Sequence, residues 1–76
     1  MLAEHASAVL TEDLPRAGLQ AGDVGVVVHV HRQGEAYEVE FVTLAGATFA
    51  VETLLANQVR EARSQDIPHV RERSVA

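Results

Sequence analysis

Two histidines two residues apart, His29 and His31, and two acids with the same spacing, Glu38 and Glu40, are the residues that could support chemistry in this chain. Two imidazoles and a carboxylate are donors that Zn²⁺, Ni²⁺ or Cu²⁺ accept, and a strand puts residues i and i+2 on one side. His29, His31 and Glu38 are therefore the candidate metal ligands, and His5 and His69 could join them only if the chain ends folded back. The ordinary reading of the same residues is a cross-strand His–Glu contact on a wet face, worth about 0.2–1 kcal/mol, and the pattern favours it. Glu38 and Glu40 have the form of an acid–base pair, but an open strand face offers no pocket to raise one pKa, and solvated acids explain the alternation.

Other reactive chemistry lacks its parts. Ser7, Ser64 and Ser74 lie near the ends, without a His and an acid arranged to activate them. Lysine is absent, which removes Schiff-base chemistry, and cysteine is absent, which removes thiolate nucleophiles, disulfides and thiolate metal sites. Gly22-Asp23-Val24-Gly25 has neither the helix nor the basic residue of a phosphate loop, so its glycines suit a tight entry into a strand, or a bulge. The expectation is a chain that is not an enzyme and carries no cofactor.

The elements that position these residues are strands. Val24 to His31 is dense in β-branched residues, which pack well on a pleated surface. Glu35 to Val42 alternates apolar and acidic residues with period two, which predicts one buried and one wet face, with Tyr37, Val39 and Phe41 inward. A two- or four-residue loop about Gln33-Gly34 then sets Val30 opposite Tyr37, Val28 opposite Val39 and Val26 opposite Phe41, with His29 across from Glu38. In that register Gly25 and Val27 point outward with the histidines. A turn at Leu44-Ala45-Gly46 leads to a third strand, with Phe49 and Val51 inward and Thr48, Ala50 and Glu52 outward. Ala6 to Leu10 reads as a first strand, and Leu14 and Leu19 as plugs folded back from a long Pro- and Gly-containing loop. Thr53 to Arg60 allows a helical or 3₁₀ turn and a last strand at Gln58-Val59-Arg60.

Five short antiparallel strands, a long first loop, a meander and a turn before the last strand are the plan of a small open SH3-like barrel, an all-β fold. Residues 1–60 form the domain, and 61–76, interrupted by Pro68, form a loosely docked or extended tail.

Asp13-Leu14-Pro15, Gly18-Leu19, Gly22-Asp23-Val24-Gly25-Val26-Val27, Tyr37-Glu38-Val39-Glu40-Phe41, Ala50-Val51 and Gln58-Val59-Arg60 together resemble the bacterial family called domain of unknown function 4926, over about residues 8–60. The resemblance brings no catalytic residues. It implies a small bacterial accessory protein, of a kind sometimes encoded beside candidate toxins.

Charge narrows the partners. All six basic residues are arginines, against eleven acids, and the net charge of −5 lies wholly within residues 1–60. Such a surface lacks the cations that neutralise phosphates, so nucleic-acid binding is not expected. No apolar run is long enough for a membrane span, nor does a signal segment open the sequence, and the expected compartment is the cytoplasm. The expected function is a non-catalytic protein-binding module or accessory subunit, acting as a weak homodimer or in a heterologous complex. Its expected contact residues are Gly25, Val27, His29, His31, Ile67 and Val70. A KOW-like module of a nucleic-acid or ribonucleoprotein complex and a metal-responsive protein using His29 and His31 are the alternatives.

Overall fold

The computed structural model describes residues 1–73. The last three residues of the expected tail, 74–76, lie outside the described residues. Five antiparallel strands, β1 (Ser7–Leu10), β2 (Val24–His31), β3 (Ala36–Val42), β4 (Thr48–Leu55) and β5 (Val59–Glu61), form one open sheet in the order β4-β3-β2-β1-β5. The sheet is the expected all-β, SH3-like plan, with a 3₁₀ turn at Ala56–Gln58 before the last strand and another at Pro15–Ala17 in the first loop. Among the described residues no helix is long and apolar enough to cross a membrane.

Local chemistry explains the connections. The β2–β3 loop is Arg32 to Glu35, with φ of 46° at Arg32 and 59° at Gln33, and Gly34 at 101°, where only glycine rests without strain. The Gly34 N–H closes it by donating to the His31 carbonyl at 3.0 Å. In the first loop Leu14 and Leu19 bridge to each other, Leu19 is buried, and Leu14 packs on the core margin. The carboxylates of Asp23 and Asp13 fix the loop by accepting the N–H groups of Gln20 and Ala21, each at 2.8 Å.

The core consists of Ala8, Leu10, Leu19, Val27, Tyr37, Val39, Phe41, Leu54 and Val59. Tyr37, Val39 and Phe41 face it as expected, Val30 pairs with Tyr37, and His29 pairs with Glu38. Between Val27 and His29, however, the register shifts. Val28 is an extra residue on β2, so Val27 pairs with Val39 and Val26 with Glu40. Ahead of this bulge the sides are exchanged. Gly25 and Val27, expected outside, are buried, and Val26 and Val28, expected inside, are exposed. The reason is the close approach of β2 to β3. A Cβ on Gly25 would sit 2.5 Å from Val39 Cγ1 and 2.8 Å from the Glu40 carbonyl oxygen, so only a bare residue fits there. The bulge adds the bend a five-stranded sheet needs to curl over its core.

A second irregularity corrects β4. The register shifts between Phe41 and Val42, opposite Thr48 to Ala50, and leaves Phe49 unpaired and half-buried. Beyond it Ala50, Glu52 and Leu54 face Phe41, Val39 and Tyr37 on the core side. Val51, expected inside, is 51% exposed on the other side. Leu54 decides the parity, because it fills the space against Tyr37 and is fully buried.

After Glu61 the described chain has no regular structure but is tied down at named points. Ala62 N–H donates to the Ser7 carbonyl, and Arg60 holds Asp66 through two hydrogen bonds of 2.9 Å. Arg71 reaches back to the first loop, where Nε donates to Asp23 Oδ1 at 3.0 Å and Nη2 donates to the Gly18 carbonyl at 2.9 Å. Burial opposes the charge on Asp23, yet hydrogen bonds from Arg71 and the Gln20 N–H outweigh it and hold its carboxyl below the ordinary range. Hydrogen bonds from Arg60 and from the Arg63 N–H bring Asp66 down to about 2. Both acids have depressed folded-state pKa values, so their contribution to docking is complete above the unfolded range near ~4 and is lost as pH falls through the folded values, which for Asp66 is about 2.

Asp23→Asn keeps an acceptor for Gln20 but removes the charge that meets Arg71. A partly exposed pair of this kind is worth about 1 kcal/mol, so trypsin cleavage within the tail at neutral pH is expected to quicken roughly fivefold while the melting curve of the domain moves little. Unchanged cleavage would show that the pair does not hold the tail.

Candidate functional site

The outer face of β2, β3 and β4 brings the chemically capable residues together. Alternation and the two bulges stack it in rows across the strands: Val26, Glu40, Val51; then His29, Glu38, Thr53; then His31, Ala36, Leu55. Val24, Val28 and Val42 are also exposed. The result is an apolar surface with acids along its middle strand.

Hydroxyls and an imidazole hold those acids in place. Thr53 Oγ1 donates to Glu38 Oε2 at 2.6 Å, and His31 Nε2 lies 2.6 Å from the same oxygen. Thr48 Oγ1 donates to Glu40 Oε2 at 2.6 Å. The Thr53 hydrogen bond first, and then His31, lowers the Glu38 pKa from the ordinary glutamate value. Glu38 is thus a fixed anion at neutral pH. The lowered pKa is the reverse of what a carboxyl acting as a general acid near pH 7 requires.

The expected metal ligands are neighbours. His29 lies directly across from Glu38, but the imidazole that reaches the carboxylate is His31, on the diagonal. The two rings stand edge to face with centroids 4.6 Å apart. Among the described residues no group of three or more His, Asp or Glu side chains is placed to hold a metal ion.

Of the expected contact residues, His29 is exposed and His31 half-buried on the outer face, whereas Gly25 and Val27 are under it and cannot meet a partner. Their places are taken by Val24, Val26 and Val28. Ile67 and Val70 are exposed, and they line an open crevice of about 900 Å³ together with Val9, Val24, Val42 and Phe49. Sequence reasoning missed Thr53 and Thr48 as partners of the acids, though an outward Thr beside an outward Glu on the neighbouring strand is a signal once the register is known. The Asp23–Arg71 pair, formed across most of the chain, left no local signal.

Comparison with curated proteins and with solved structures returns no match. The model of one family, described as Domain of unknown function (DUF4926), matches residues 4–61, from the turn before β1 to the end of β5. That span contains every strand and the whole outer face, and the chain belongs to this family.

Proposed function

We propose that the chain is a non-catalytic protein-binding module, an accessory subunit whose outer sheet face docks a protein presenting apolar side chains together with basic ones. The observation that carries this reading is the outer face itself. Val26, Val28, Val42 and Val51 remain exposed there, around carboxylates held in fixed positions by Thr48, Thr53 and His31. Contiguous exposed apolar surface rimmed by polar groups marks interaction sites, and anchored acids favour a partner of opposite charge. The family resemblance, rather than the face, is what points to a protein encoded beside it, such as a toxin, as the partner, and the cytoplasm is the compartment that fits a chain without cysteine.

Paired capture from the native host tests it. The wild type is expected to retain a basic protein, and Val26→Glu, on the exposed side of β2, to lose at least tenfold of that binding while melting as the wild type does. A retained partner indifferent to Val26→Glu would move the contact elsewhere. Salt-sensitive binding to DNA or RNA in a gel-shift titration would replace this reading with the nucleic-acid module.

A further inference from the structure

An open sheet has two edges, and here they differ. The outer edge of β5 is three residues long, and the Glu61 carbonyl accepts Arg60 Nη1 at 3.1 Å. The β4 edge is eight residues long. Its pairing shows which groups face out. Ala56 N–H donates to the Glu35 carbonyl across the β3–β4 ladder at 3.1 Å, so by alternation Leu54, Glu52 and Ala50 bond to β3, while Leu55, Thr53 and Val51 turn their N–H and C=O groups away. Leu55 is closed by Gln58, whose Oε1 accepts its N–H at 2.8 Å. Among the described residues nothing closes the main chain of Val51 or Thr53.

The one charge on this edge strand is Glu52, half-buried on the core side between those two residues and without an ion pair among the described residues. It selects what can pair there. A two-fold β4–β4 pairing centred on Glu52 would set two carboxylates directly opposite each other, which is destabilising. Centred on Thr53, the pairing would need the Leu55 N–H that Gln58 already holds, and centred on Val51 it runs into the unpaired Phe49. A second copy therefore fits in none of the three registers.

From this we infer that the outer edge of β4 accepts an added antiparallel strand from a basic protein partner, with Arg or Lys opposite Glu52 and β-branched apolar residues opposite Val51 and Thr53. The inference rests on the binding-module reading and names its contact: a strand added there extends the outer face beside Val51 and Thr53.

The probe is a capped peptide, Ser-Thr-Val-Arg-Val-Thr-Ser, titrated into ¹⁵N-labelled full-length protein, with the same peptide carrying Glu for Arg as control. The Arg peptide is expected to slow amide exchange at Val51 and Thr53 at least tenfold, and the Glu peptide to leave it unchanged. Val51→Pro, which removes an outward N–H without touching the β3 ladder, should abolish the protection, with circular dichroism confirming the fold. Glu52→Lys should exchange the preference between the two peptides. No binding of the Arg peptide at millimolar concentration overturns the inference. Shifts confined to Val26, Val28 and Val42 overturn it as well, while leaving the binding-module reading intact. Protection of Val51 and Thr53 that rises with protein concentration alone would assign the edge to a second copy instead.

Discussion

Phe41→Ala is expected to lower the free energy of unfolding by about 3–5 kcal/mol, the usual cost of emptying a buried phenylalanine site. A chain of this length has roughly 4–11 kcal/mol in total, so the variant should be largely unfolded at moderate urea or well below the wild-type melting temperature. Phe41 is 3% exposed, pairs with Ala50 on β4, and stands against the Cβ position that Gly25 leaves empty. Its cavity could not collapse without moving two strands. The companion measurement is Val51→Ala. Val51 lies on the outer face, and its truncation should cost no more than about 0.5 kcal/mol. Equal losses at the two positions in urea titrations would return β4 to the opposite parity, with Val51 inside.

Gly25→Val is expected to destabilise by about 1–3 kcal/mol or more, because the new side chain must enter space held by Val39, the Glu40 carbonyl and Phe41. At about 4–8 °C per kcal/mol for a domain of this size, the loss is visible in any melting experiment. The sign is the informative part. If β2 had no bulge, Gly25 would face water, and valine there would raise stability by giving the strand a better β-former. A variant that melts higher than the wild type would therefore remove the bulge and restore Gly25 and Val27 to the surface.

What the sequence could tell about these strands depended on whether polar residues punctuated them. In β3 the acids Glu38 and Glu40 mark the wet side, and the inward set Tyr37, Val39 and Phe41 is as read. In β2 the first half, Val24 to Val28, is apolar apart from Gly25, so both sides look alike and a shift of one residue leaves no trace in the pattern. Only after His29 does the register become legible, and there it is right. β4 misled in another way. Its acid, Glu52, lies on the core side near the sheet's edge, where a carboxylate can still reach water, while the bulge at Phe49 exchanged the sides of Ala50 and Val51. The outer-face histidines and acids were found from spacing alone; the valines around them depended on a bulge that sequence does not announce.

The strand order also divides the sheet by chain entropy. The pairs β2–β3 and β3–β4 close over loops of a few residues, but β1 meets β5 by joining Leu10 to Val59, roughly fifty residues apart, a closure whose cost rises only as the logarithm of its length. The meander is local and the barrel's seam is not. The pairing that spans the greatest sequence separation in the sheet therefore depends on one three-residue strand, and contact order assigns the slow part of folding to the arrival of Val59 beside Leu10.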